Sequence, residues 1–180
     1  MTTVTNDHLA AQIRAVIRDI PDFPKPGIVF KDITPLLANS SLFRRATAAM
    51  AAPFRSAGVT HVAAIESRGF LLGAPIALEL SAALTPIRKP GKLPFETTSV
   101  EYALEYGTDR LEVHCDACNA EARVLIVDDV LATGGTAAAA GQLIRGLGAT
   151  VVGYSFLMTL SFLKGAARLE GVPIERVVEY

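Results

Sequence analysis

Short apolar runs of strand length alternate with stretches of helical period through most of this chain. The runs are His61–Ile65, Leu84–Ile87, Val124–Val127, Val151–Met158 and Val172–Val178. Among them, Phe70–Leu80 and Thr136–Leu147 repeat apolar residues at every third or fourth position, as Ser41–Ala57 does ahead of the first run, with Gly58 as its stop. A parallel strand pair needs a crossover long enough to hold a helix, so this order selects a parallel sheet. The expected fold class is α/β, a doubly wound and mostly parallel sheet with helices on both faces. Ligands of such sheets sit beyond the carboxyl ends of the strands. The segments that follow Ile65, Ile87, Val127 and Met158 should therefore share one rim.

Nearer the start, Leu9, Ile13, Val16, Ile17 and Ile20 recur at helical spacing behind the capping candidates Thr5, Asn6 and Asp7, predicting an amphipathic helix of about four turns. Pro21, Pro24, Pro26 and Gly27 break the chain before the apolar piece Ile28–Val29–Phe30. Pro90, Gly91 and Pro94 mark residues 89–99 as a loop.

The 180 residues suit one domain, and a hydrophobic content of 51% fills a core and argues against disorder. Lys and Arg number 17 against 18 Asp and Glu, with no clustered basic stripe, so no nucleic-acid partner is expected. No run reaches the roughly 18 apolar residues of a membrane span. The opening MTTVTNDHLA lacks the basic start and apolar run of a signal peptide. Two cysteines, Cys115 and Cys118, build no disulfide framework, and the expectation is a soluble cytoplasmic domain.

The densest chemical signal is VLIVDDVLATGGT at 124–136. An apolar strand runs into Asp128 and Asp129, and a loop from Val130 to Gly135 then opens a helix at Thr136. A loop of small residues lets backbone N–H groups turn inward, and the helix start adds partial positive charge. Ala132, Thr133, Gly134, Gly135 and Thr136 thus form a candidate cradle for a phosphate monoester. The lysine of a nucleoside-triphosphate P-loop is missing, and the glycines do not fit GxGxxG. Two acids beside an anion site would repel it unless they face something else, such as ribose hydroxyls or a metal carried by the ligand. A sugar phosphate satisfies both halves. Paired acids can also be helix caps and Gly-Gly a plain turn, but six features in fixed order favour the functional reading.

The segment resembles the phosphoribosyl-diphosphate signature of the type I phosphoribosyltransferases. DFPKPGIVFKDIT, ESRGF at 66–70, RKPGKLP at 88–94, LEYGTD at 104–109 and SFLKG extend the resemblance over about nine-tenths of the chain, to the adenine-specific branch of that family. The resemblance implies one domain over 1–180, with a small N-terminal hood of about 1–35 on a core of about 36–180. The implied reaction joins adenine to phosphoribosyl diphosphate, giving AMP and pyrophosphate, with Mg²⁺ carried by the diphosphate and a homodimer as the assembly.

Carried onto this sequence, the resemblance implies the following roles. Asp128 and Asp129 hold the ribose hydroxyls and stabilise positive charge at C1′. Glu66, Ser67, Arg68 and Gly69 form the pyrophosphate turn, with Arg68 as its bidentate cation and a cis peptide expected at Glu66–Ser67. Arg88, Lys89 and Lys92 add positive charge, and residues 89–101 are expected to form a lid that excludes water. Simple solubility explains Lys92 about as well. Main-chain groups of Val29 and Lys31 read the base, between Phe30 on one face and Leu160 on the other. Lys31 stands where relatives often have arginine. Glu105 is the acid/base candidate for N7, and Tyr106 a lid residue.

Three other signals carry less. Cys115-Asp116-Ala117-Cys118 lacks the second ligand pair of a structural zinc site. Ser67 cannot be a hydrolase nucleophile elbow, because Ile65 replaces the first glycine of GxSxG and no histidine follows His114. A regulator that keeps this domain as a sensor usually adds a DNA-binding module or basic face, for which residues 1–20 offer only one amphipathic helix. A transferase for a 6-oxopurine or orotate remains compatible with the anion segment, while PGIVF and the ESRGF–LEYG pair point to adenine.

Overall fold

A computed structural model of the protein describes residues 3–103, 108–169 and 171–180. Helix α1 (Thr3–Val16) leads into an antiparallel ribbon of β1 (Arg18–Pro21) and β2 (Val29–Asp32), then α2 (Thr34–Ala38) and α3 (Ser40–Ala51). The main body follows as β3 (His61–Ile65), α4 (Arg68–Glu79), β4 (Ala83–Ile87), a second ribbon of β5 (Thr97–Ala103) and β6 (Thr108–His114), β7 (Arg123–Leu131), α5 (Gly135–Gly146), β8 (Thr150–Thr159) and β9 (Ile174–Glu179).

The expected parallel sheet is present. Its strand order is β4-β3-β7-β8-β9, and every neighbouring pair is parallel. From β3 the chain first adds β4 on one side, then returns to place β7 on the other. That reversal opens a crevice at the carboxyl ends of β3 and β7, where open sheets of this kind hold their ligands.

Alternation along β7 explains the two cores. Leu125 and Val127 point into a cluster with Ile13 of α1, Met50 of α3 and Leu72 and Ile76 of α4. Val124 and Ile126 point the other way, into a cluster with Leu143 and Ile144 of α5 and with Tyr102, Leu111 and Val113 of the second ribbon. Helices thus cover both faces, and on one face a ribbon shares the work. Helix α1, grouped with the hood on sequence, packs in the first of these cores through Leu9, Ala10 and Ile13.

Several local expectations change. The first helix ends at Val16, and Ile20 lies in β1, where it is exposed; its helical spacing was coincidental with strand pairing to Phe30. The helix starts at Thr3, ahead of the capping candidates, since neither Gly nor Pro stops it there. Helix α3 ends near Pro53, well before Ala57, because proline cannot donate within a helix interior. The loop expected over 89–99 ends earlier, because β5 begins at Thr97. Strand β7 continues through both acids to Leu131, held by its ladder with β8 up to the Leu131–Thr159 pair.

Candidate active site

The crevice between β3 and β7 is a cleft of about 220 Å³. Glu66, Ser67 and Arg68 form one wall; Asp128, Asp129, Val130 and Leu131 form the floor; Ala132, Thr133, Gly134, Thr136 and Ala137 close the far side, and Lys89 reaches in from above. The Glu66–Ser67 peptide is cis. Gly69 brings the two walls together: a Cβ there would stand 3.0 Å from Asp128 Oδ1 and from the Val127 carbonyl oxygen. A side chain at that position would wedge the turn away from the acids.

The anion cradle is built as an uncapped helix start. Gly134 has φ +82° and no side chain to cap α5. The N–H of Ala138 is the first to bond back, to the Gly134 carbonyl at 2.9 Å, so the amides of Gly135, Thr136 and Ala137 lack an acceptor one turn earlier. The loop is backed by Gly165. A Cβ on Gly134 would collide with the Gly165 carbonyl, and a Cβ on Gly165 with the Ala132 carbonyl. SFLKG was visible in the sequence, but the role of its glycine as the backing of this loop was not.

The acids lie low in a cation-lined cleft. Burial raises the pKa of Asp128 well above the ordinary carboxylate value, and the neighbouring Asp129 charge raises it further. Burial also raises Asp129, although the Arg68 guanidinium opposes this. Arg68 Nε lies 3.1 Å from Asp129 Oδ2, an ion pair without the alignment of a hydrogen bond. Asp128 accepts the Asp129 N–H at 2.9 Å.

Arg88 is placed differently from Lys89. Its guanidinium grips both oxygens of Glu66, at 3.1 and 3.2 Å, and also donates to the Lys92 carbonyl. Glu66 in turn accepts the Lys89 N–H at 2.8 Å. Burial pushes the Glu66 pKa up, yet the Lys89 amide and the Arg88 guanidinium outweigh it and hold the group low. Neither Arg88 nor the exposed Lys92 lines the cleft; both tie the segment after β4 to the β3 turn.

On the other side of Arg68 stands the N-terminal ribbon. The guanidinium lies over the Phe30 ring, 4.6 Å from its centroid, and Phe23 meets Phe30 edge-on at 5.1 Å. Arg68 also reaches the Lys31 carbonyl at 3.4 Å. The Lys31 side chain turns away to Asp19 at 2.7 Å and to the Tyr180 ring, leaving only its main chain toward Arg68. Val29 is exposed two residues back on the same strand, and Leu160 donates its N–H to Leu131 beside the anion loop. Glu105 and Tyr106 lie outside the described residues.

The model of the phosphoribosyl transferase domain matches residues 32–170. An adenine phosphoribosyltransferase of Myxococcus xanthus is 57% identical over 167 residues, covering 93% of this chain and 91% of that protein. The chain belongs to the adenine phosphoribosyltransferase family. The adenine phosphoribosyltransferase of Rhodothermus marinus superimposes with a TM-score of 0.93 at 47% identity, over 97% of this chain and 99% of that one. The Saccharomyces cerevisiae enzyme, solved with D-2,5-dideoxy-2,5-imino-altritol 1,6-bisphosphate and adenine, gives a TM-score of 0.89 at 38% identity, over 95% and 99% of the two chains. The chain has the type I phosphoribosyltransferase fold of these relatives, with its own five-stranded parallel sheet at the centre.

Proposed function

We propose that the protein transfers the 5-phosphoribosyl group of phosphoribosyl diphosphate to N9 of adenine, releasing pyrophosphate and forming AMP. The observation that carries this reading is the pairing, in one cleft, of an uncapped glycine-rich helix start with two adjacent carboxylates, the buried Asp129 and the half-buried Asp128. The amides of Gly135, Thr136 and Ala137 would take the 5′-phosphate. Asp128 and Asp129 would accept the ribose 2′- and 3′-hydroxyls, and Arg68 and Lys89 would bind the pyrophosphate. As the C1′–O bond breaks, its electron pair leaves with pyrophosphate. The ring becomes oxocarbenium-like, and the acids beneath it oppose the growing positive charge. The N9 lone pair then forms the new bond, and the proton displaced from adenine leaves through a base, a role proposed for Glu105.

The β1–β2 ribbon serves as the hood over the base in this proposal, above a single catalytic unit. Main-chain groups of Val29 and Lys31 read the 6-amino edge, and Phe30 and Leu160 flank the ring. Among the described residues no group of three or more His, Cys, Asp or Glu could hold a metal. The Mg²⁺ ion would arrive with the diphosphate and draw its remaining ligands from water, which is how Mg²⁺ is usually held. When bound, the ion would neutralise charge on the leaving pyrophosphate.

The reading extends to assembly and location. Leu71 and Leu78, one heptad apart on α4, are exposed, as is Leu84 on the edge strand β4. Such an apolar stripe suits the face of a homodimer. Cys115 and Cys118 are free, which suits the reducing cytoplasm. Among the described residues no helix is long and apolar enough to cross a membrane.

The test is a panel of adenine, hypoxanthine, guanine and orotate, each offered with phosphoribosyl diphosphate and Mg²⁺. Adenine alone should turn over. Turnover of hypoxanthine without adenine would overturn the base assignment.

A further inference from the structure

The Tyr102 hydroxyl is the meeting point of four side chains. It donates to Asp109 Oδ2 at 3.2 Å, accepts from Thr136 Oγ1 at 3.2 Å and accepts from Lys89 Nζ at 3.3 Å. A phenol has one proton to give and two lone pairs to receive, so this hydroxyl is fully used. Lys89 also pairs directly with Asp109. Tyr102 and Asp109 face each other across the β5–β6 ribbon, and Tyr102 is 9% exposed. Neither residue lines the cleft, but Thr136 and Lys89 both do.

Those two cleft residues belong to different anion positions. Thr136 sits at the start of α5, where the phosphate monoester is proposed to bind, and Lys89 stands over the proposed pyrophosphate position. In the free protein each is committed elsewhere, the Thr136 proton to Tyr102 and the Lys89 charge to Asp109. An anion arriving at either position must draw its donor out of this network. Hydrogen bonds in such a network polarise and order one another, so loss of one link weakens the others. The first anion breaks the anchorage, and the second meets a partner already loosened.

We propose that Tyr102 and Asp109 are positioning residues that couple the two anion sites, so that a phosphomonoester at α5 and pyrophosphate at Lys89 strengthen each other's binding through the Tyr102 hydroxyl. The proposal rests on the function given above. It gives the cleft a way to favour loading with both anionic ends of one substrate over capture of either anion alone.

Calorimetric titration of the whole protein tests it. Pyrophosphate with Mg²⁺ is titrated in the absence and presence of saturating ribose 5-phosphate, for wild type, Tyr102→Phe and Asp109→Asn. Comparing the ratio of the two dissociation constants between proteins cancels the direct repulsion of the anions, which all three share. Ribose 5-phosphate should tighten pyrophosphate binding in wild type by about 5-fold or more, the lower end of usual coupling, and that factor should fall in Tyr102→Phe to one or below, where only the shared repulsion remains. Reversing the order of addition must return the same factor. Asp109→Asn should bind pyrophosphate more tightly alone, because Lys89 is released, and should show a reduced ratio. If Tyr102→Phe does not fold, Asp109→Asn decides by the same criterion. Equal ratios in wild type and variants would overturn the coupling while leaving the catalytic reading intact. Failure of wild type to bind either anion would overturn both.

Discussion

Arg68 connects the acid floor to the N-terminal ribbon: its guanidinium pairs with the buried Asp129 carboxylate while lying over the Phe30 ring. One side chain thus touches the proposed ribose, pyrophosphate and base regions. Arg68→Ala should weaken pyrophosphate binding by roughly 1.5–3 kcal/mol, the usual worth of a hydrogen bond to a charged group. That corresponds to about a 10- to 150-fold higher dissociation constant. Titration of pyrophosphate against wild type and variant measures it, and unchanged binding would remove Arg68 from the site.

Asp128 illustrates a conflict between stability and activity. Its folded pKa is raised, so the folded state holds the proton more tightly than the unfolded chain. The sign follows directly: stability is fully present below the unfolded value and is lost as pH rises through the folded one. Asp128→Asn removes that loss and keeps an oxygen for the Asp129 N–H. At pH 7 the variant should melt higher than wild type, by roughly 2–4 °C for each 1 kcal/mol regained in a chain of this size. Its turnover should fall sharply. A variant that melts lower at pH 7 and equally at pH 4 would contradict the assignment of a buried charge.

Gly165 is expected to be as sensitive as the loop it supports. Gly165→Ala drives a methyl into the Ala132 carbonyl, and such overpacking typically costs about 1–3 kcal/mol. The displaced loop should raise the KM for phosphoribosyl diphosphate more than the KM for adenine. Gly146→Ala, at a position without positive φ and with open space around the Cβ, provides the control for an added methyl alone. Equal shifts in the two KM values would mean that Gly165 does not act through the phosphate loop.

Glu105 is tested by its kinetics. If it takes or gives the adenine proton, Glu105→Gln should lower kcat by roughly 10²–10⁴-fold, the range for loss of a general acid or base. A change confined to KM would assign it to binding.

The strand–helix alternation made the sheet legible, and VLIVDDVLATGGT announced the cleft, because both are local patterns. The β5–β6 ribbon also had a local pattern, with Val100 and Tyr102 inward and Glu101 outward, answered by Leu111 and Val113. The proline and glycine signals of 90–94 masked it. Strand β7 outran its apolar run because pairing with β8 holds Asp128 and Asp129 in a ladder that their own preferences oppose. The abutment of Gly134 on Gly165 and the bond from Thr136 to Tyr102 join residues about thirty positions apart, so no spacing rule could reveal them. The commitment of Arg88 to Glu66 was hidden for a related reason, since a basic residue near a cleft does not disclose which acid will claim it.

The acids ride on the central strand of the sheet, whereas the four-residue β2, proposed to face the base, belongs to a peripheral pair. Selectivity for the nucleobase and handling of the sugar would therefore rest on different elements, bridged by Arg68. New preferences could arise by rewriting a few positions at the periphery, with the chemistry at the anomeric carbon left undisturbed.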